Sequence, residues 1–213
     1  MNVKVCGITN VEDARMVAEA GADAIGVIVD VSVETPRKIT VDDAVRIRSS
    51  ISDIGHAFIT VIMPETVEEA VTIYDRVKPD GMQLHGSETA KFIRELKAKT
   101  GCQIIKAIHV DNSLDMDYVT SVADYADMLL LDTKVASRVG GTGTTHDYAL
   151  DKEIKKATGK RIILAGGLNA GNVAAAVAEV KPYVVDVSSG VESEPGVKDP
   201  AKVRKFIEVT ACL

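Results

Sequence analysis

Short β-branched runs alternate with amphipathic stretches of helical spacing from one end of this chain to the other, eight times over. The runs that read as strands are Asn2 to Ile8, Ala24 to Val29, Ala57 to Met63, Gly81 to His85, Gln103 to His109, Met128 to Asp132, Arg161 to Ala165 and Tyr183 to Val187. Helical periodicity falls near Val11 to Ala20, Val41 to Ser50, Val67 to Val77, Thr89 to Lys99, Met116 to Tyr125, Tyr148 to Ala157, Asn172 to Val180 and Pro200 to Val209. Thr66, Ser87 and Asp199 stand where helix-capping residues belong, the last directly before Pro200. Units of about 27 residues, repeated through 213, predict an α/β fold of the (β/α)8 TIM-barrel type, a single domain over residues 1–213. The competing architecture, a doubly wound open sheet, usually carries a G-x-G-x-x-G turn after its first strand, and none is present here.

Acidic and basic residues are interspersed and the net charge is −6, so no basic stripe is available for nucleic-acid phosphates or an anionic membrane. An anionic ligand must therefore be met by particular arginines and backbone donors. Apolar runs such as Ala24 to Val29 are far shorter than the roughly 20 residues of a membrane span. The chain opens on a strand-like N-V-K-V-C-G-I without the regions of a signal peptide, which predicts a cytoplasmic protein. Its three cysteines, Cys6, Cys102 and Cys212, are odd in number and lack metal-type spacing, which argues against disulfides and a structural zinc.

In a barrel the C-terminal strand ends converge on one mouth, whatever their separation in sequence. Those ends carry Cys6, His85, His109, Asp132, Gly166 with Gly167, and Asp186 through Gly190. Gly166 and Gly167, with Ser189 and Gly190, sit in two strand–glycine–helix turns of the kind that hold a phosphate, because backbone N–H groups can approach the anion closely there. Gly141 and Gly143, in the long segment Thr133 to Asp147, are candidates for a further wall of that anchor. By strand alternation Gln83 and His85 face the same way. His56, His109 and His146 read as structural. A lone strand cysteine is more often a packing residue than a catalyst, and a loop arginine such as Arg37 is more often solvated than functional.

The strings K-V-C-G-I-T, T-P-R-K-I, Q-L-H-G, L-L-L-D, G-G-T-G, L-A-G-G-L-N-x-x-N-V and D-V-S-S-G-V-E-x-x-P-G-x-K-D occur in that order between Val3 and Asp199. Together they resemble the phosphoribosylanthranilate isomerases of tryptophan biosynthesis. That resemblance implies an Amadori rearrangement of N-(5'-phosphoribosyl)anthranilate to 1-(2-carboxyphenylamino)-1-deoxyribulose 5-phosphate, with no cofactor and no metal. It assigns Cys6 as the general base and Asp132 as the general acid, and Arg37 as partner of the anthranilate carboxylate. Gln83, His85 and Asp186 are then substrate contacts, the last toward the ribose. The expected partner is this small molecule alone, bound by a monomer or homodimer. The chain departs from the family's pattern in V-I-V-D-V after the second strand, where an aromatic residue is common. It departs again where Thr145, His146, Asp147 and Tyr148 replace the usual Phe-Asp-Trp. Two alternatives remain open on sequence: the sister isomerase of histidine biosynthesis, which resembles a two-aspartate site, and a barrel that binds a sugar phosphate without catalysis. Indole-glycerol-phosphate synthase shares the ligand class, but its lysine-based chemistry has no evident counterpart here.

Overall fold

A computed structural model describes residues 1–52, 55–111, 113–133 and 148–213. Its elements run β1 (Asn2–Val5), α1 (Val11–Glu19), β2 (Ala24–Val29), β3 (Lys38–Ile39), α2 (Val41–Ser50), β4 (Ala57–Ile62), α3 (Val67–Val77), β5 (Gly81–Leu84) and α4 (Ala90–Thr100). They continue β6 (Gln103–Val110), α5 (Met116–Ala123), β7 (Met128–Thr133), α6 (Ala149–Thr158), β8 (Arg161–Ala165), α7 (Val173–Val180) and β9 (Val184–Val187). A 3-10 turn (Ser189–Val191), the hairpin β10 (Glu192–Glu194) and β11 (Val197–Lys198), and α8 (Pro200–Ala211) complete the chain. The hydrogen-bonded order is β1-β9-β8-β7-β6-β5-β4-β2-β3, and a further β1–β2 pairing joins the ends. All barrel pairings are parallel, so β1, β2 and β4 through β9 form the closed ring that the alternation predicts, with β3 hung on the edge of β2.

Side-chain alternation sorts each strand into two layers. Val3, Val5, Ile25, Val27, Phe58, Met82, Leu84, Ile104, Leu129, Ile162 and Val185 point outward and pack against helix residues such as Ala14, Ile47, Leu96, Val122 and Phe206 in one contiguous core. Ile59, Ile105, Ala107, Met128, Leu130 and Ile163 fill the barrel interior as a second, smaller cluster. At about 25 cal/mol per Å² of apolar surface, each fully buried isoleucine or leucine among them contributes roughly 1.5–3 kcal/mol. That apolar plug closes the centre of the ring beneath the mouth.

Helix starts follow local chemistry. Thr66 accepts from the Glu69 amide and the Glu69 carboxylate reaches back to the Thr66 amide, a complete capping box for α3. Asp199 caps α8, with Pro200 in its first turn. The expected start of α4 at Ser87 is corrected: Thr89 is the cap. The intervening Glu88 is instead buried, its carboxylate 3.0 Å from the Lys106 ammonium. Lys106 also donates to the carbonyls of Leu84, Gly86 and Ala107, which ties the segment carrying His85 to β6.

Candidate active site

Strand alternation sets Lys4 and Cys6 on the same inward face at the mouth end of β1. Lys4 lies in register with Asp186 of β9, and its ammonium donates to Asp186 Oδ2 at 2.8 Å, both groups being buried. Cys6 is expected within the first strand, but β1 ends at Val5 and Cys6 occupies the bend before Gly7, whose φ of +74° requires a residue without Cβ. Its amide still donates to Val187 at 2.8 Å, which holds the thiol against the ring. Gly26 of β2 makes room for the pair: a Cβ there would lie 2.8 Å from Cys6 Sγ and 3.0 Å from Lys4 Cε.

The electrostatics of this trio oppose one another. Burial pushes the Cys6 thiol above its ordinary pKa, and the adjacent Lys4 ammonium pulls it back down. Burial works against the charge on Lys4, yet Asp186 and the thiol hold its pKa above the usual value, so it stays a cation. Burial raises the Asp186 carboxyl against the opposite pull of Lys4. Its Oδ1 is buried with no hydrogen-bond partner among the described residues.

A cavity of about 240 Å³ opens above this trio, lined by Cys6, Arg37, Gln83, His85, Asp132, Gly166, Gly167, Asp186, Ser188 and Ser189, with apolar Ile28, Val61, Leu130 and Leu168. Most of the side chains singled out in the sequence thus meet at one mouth. A larger cavity of about 450 Å³ lies between α2 and α3, but it contains none of them. Gly190 stands behind the lining and packs directly on the turn after β8, where a Cβ would sit 1.9 Å from the Leu168 carbonyl oxygen. Gly141, Gly143 and His146 lie outside the described residues.

Gly166 and Gly167 take φ of +92° and +61°, which makes the sharp turn after β8. Asn172 braces that turn, accepting from the Asn169 amide at 2.8 Å and donating to the Gly167 carbonyl at 3.0 Å. The amide of Val191 closes the neighbouring 3-10 turn onto Ser188. The N–H groups of Gly167, Ser189 and Gly190 take no part in the bonds that brace these two turns. That arrangement leaves donors for an anion on one wall of the cavity.

Arg37 crosses the rim over Gly7, where a Cβ would meet its Cδ at 2.6 Å. Its Nε and Nη2 donate to the two carboxylate oxygens of Glu192 at 2.8 and 2.6 Å. One edge of the guanidinium is therefore held by the protein, and the remaining Nη edge is the one that can meet a second carboxylate. Glu192 also accepts from the buried Lys198 at 2.8 Å. Against the cost of burial, Arg37 and Lys198 depress the Glu192 carboxyl to about 2. A depressed carboxyl contributes stability above its unfolded value and loses it as pH falls toward the folded value, here from about 4.5 down to about 2. Glu192→Gln is accordingly expected to lower the melting temperature at neutral pH and to flatten its fall across that acid window, as read by thermal melts at several pH values.

Asp132 is the next-to-last residue of β7, in register with His109 of β6. Its Oδ2 is 3.7 Å from His85 Nε2 and 3.6 Å from His109 Nδ1. Gln83 Nε2 lies 3.2 Å from His85 Nδ1, which steers the other ring nitrogen toward Asp132. Burial, then His85, lowers the His109 pKa, so that ring is neutral at physiological pH. Cys6 and Asp132, a thiol and a carboxylate 126 positions apart in the chain, thus border one cavity beside an anion-binding wall.

The sequence profile described as N-(5'phosphoribosyl)anthranilate (PRA) isomerase matches residues 3–209. The chain belongs to this isomerase family. A curated N-(5'-phosphoribosyl)anthranilate isomerase from Methanocaldococcus jannaschii is 40% identical over 98% of this chain and 96% of its own length. One from Methanocella arvoryzae is 43% identical over 97% of this chain and 96% of its own. Among solved structures, the phosphoribosyl anthranilate isomerase of Thermotoga maritima superposes with a TM-score of 0.86 at 36% identity, all of both chains being covered. A second, in complex with reduced 1-(o-carboxyphenylamino)-1-deoxyribulose 5-phosphate, superposes at 0.85 with 33% identity over all of both chains.

Four members of this constellation escaped the reading of individual residues. Lys4 had an available signal, since a lysine two positions before Cys6 in an apolar strand must share its face. Gly26 had a weaker one, as a glycine inside a strand marks a close approach. Glu192 and Lys198 lie within a string that carries the family resemblance, but the 155-residue separation of Arg37 and Glu192 hides their pairing.

Proposed function

We propose that this chain catalyses the rearrangement of N-(5'-phosphoribosyl)anthranilate to 1-(2-carboxyphenylamino)-1-deoxyribulose 5-phosphate, with Cys6 as base and Asp132 as acid. The observation that carries the assignment is that these two groups border one cavity, a wall of which is made of the glycine turns. The phosphate is placed at Gly166, Gly167, Ser189 and Gly190, and the anthranilate carboxylate at the outer edge of Arg37. The sugar then spans the gap between sulfur and carboxyl.

Asp132 gives its proton to the ring oxygen as the C1–O bond breaks and the nitrogen lone pair forms the iminium. The Cys6 thiolate takes the C2 proton, and the electron pair moves through C1 to neutralise nitrogen. The resulting enaminol becomes the ketone when the C2 hydroxyl returns a proton to Asp132 and C1 receives one from Cys6, so both groups end as they began. Lys4 favours the thiolate that this cycle needs, and its buried position magnifies that charge. Asp186, with one oxygen held by Lys4 and the other without a hydrogen-bond partner among the described residues at the cavity wall, is suited to a ribose hydroxyl. Gln83 and His85 complete the substrate-facing rim.

No helix among the described residues is long and apolar enough to cross a membrane. The proposal is of a cytoplasmic enzyme that is a monomer or a homodimer. A solved structure describes monomers generated from the dimeric enzyme of Thermotoga maritima. The deciding experiment is complementation: the gene is expected to restore growth without tryptophan to a strain lacking this isomerase. Rescue confined to a histidine-requiring strain lacking the sister isomerase, or rescue of neither with the protein expressed, would overturn the assignment.

A further inference from the structure

We propose that His85, His109 and Asp132 form a binding site for a divalent transition-metal ion of the zinc type, and that an ion bound there inhibits the enzyme. The three side chains come from the C-terminal ends of three adjacent strands, β5, β6 and β7, and offer one ligand atom each, all within 4.8 Å of one another. Asp132 Oδ2 is the shared vertex, 3.7 Å from His85 Nε2 and 3.6 Å from His109 Nδ1. Bonds of about 2.0–2.1 Å to a tetrahedral ion space its ligands by roughly 3.3 Å, so modest ring rotations complete the triangle. The rings already stand edge to face with centroids 5.0 Å apart.

The donor set selects the ion. Two imidazoles and one carboxylate suit zinc, cobalt or nickel, whereas magnesium and calcium prefer all-oxygen shells. A supporting residue is also in place. Turning the Gln83 amide end for end sets its Oε1, a buried oxygen with no hydrogen-bond partner among the described residues, against the Nδ1–H of His85. That hydrogen bond fixes the tautomer whose Nε2 lone pair faces Asp132, as second partners of metal-bound histidines do. The rearrangement itself calls for no metal. An ion on Asp132 would instead remove the carboxyl from proton transfer while leaving the anion-binding wall open.

The inhibition, though not the binding, rests on the role proposed for Asp132. Cobalt(II) is the probe, titrated into the whole protein and followed by visible absorption and calorimetry, with zinc used for inhibition and chelator for reversal. His109 lies outside the cavity lining and its side chain is 55% exposed, so His109→Ala should fold, and its own turnover without metal is the baseline for its zinc titration. It should weaken cobalt binding by at least about tenfold and abolish chelator-reversible zinc inhibition in parallel. His85→Ala should weaken cobalt binding to a similar extent. Unchanged binding in both variants would overturn the site, as would a near-ultraviolet sulfur-to-cobalt band, which assigns the ion to a cysteine. Tight binding that is lost in both variants but never slows the wild-type enzyme would uphold the site, refute the inhibition and count against Asp132 as the acid.

Discussion

Cys6→Ser is expected to cut turnover by about a hundred- to ten-thousand-fold while leaving the affinity for a product analogue nearly unchanged. Serine keeps the size and position of the side chain, including the space left by Gly26 and the amide bond to Val187. It cannot supply the base, because a hydroxyl starts far above a thiol, and the neighbouring ammonium, which only opposes the burial that raises the Cys6 thiol, leaves it there. Binding should survive, because the proposed assignment puts phosphate and carboxylate elsewhere, on the glycine turns and on Arg37. Asp132→Asn should show the same division between kcat and binding. Steady-state kinetics with calorimetry on the analogue checks both, and a serine variant retaining more than about a tenth of wild-type turnover would sink the base assignment.

Lys4→Gln is the second large effect. Without its ammonium the thiol loses the influence that opposes burial, so its pKa rises and less thiolate is present at any fixed pH. We expect turnover at neutral pH to fall by about ten- to a hundredfold. The rising limb of kcat/KM against pH should move to higher pH, with activity partly recovered in alkaline buffer. A merely structural lysine would lower activity at every pH alike, and that outcome would refute the role. The substitution also strands the buried Asp186 charge, a change that typically costs about 3–5 kcal/mol. Lys4→Gln combined with Asp186→Asn removes both charges and should recover much of the stability without recovering turnover. The pair separates the thermodynamic effect from the chemical one.

What was legible in the chain was whatever has a short period or a local partner. The barrel strands were visible because Val, Ile and Leu recur at spacings a neighbour-by-neighbour scan detects, and Thr66 and Asp199 were visible as caps because they bond within three residues. The start of α4 was misread at Ser87 because the competing event, Glu88 turning inward to Lys106, spans 18 positions. β3 is a two-residue pairing with β2, too brief for any periodicity to register. The cavity-lining residues Cys6, His85, Asp132 and Asp186 are legible because strand ends converge in a barrel, Gln83 because it shares a face with His85, and Arg37, a loop residue, only through the family resemblance. Their bonding is not, because Arg37 with Glu192 and Lys4 with Asp186 are joined only after the ring has closed.

That last ion pair joins β1, the first strand of the chain, to β9, the last strand of the ring, and so imposes a timetable on biosynthesis. A ribosome releases Lys4 long before Asp186, and until then the lysine has no counter-charge and its strand lacks one of its two flanking neighbours. Chains halted short of β9 would be left with an unsatisfied edge, a target for proteolysis and for chaperones. Assembly of the thiol's electrostatic surroundings thereby waits for β9, and catalytic competence becomes a report that translation has passed Asp186.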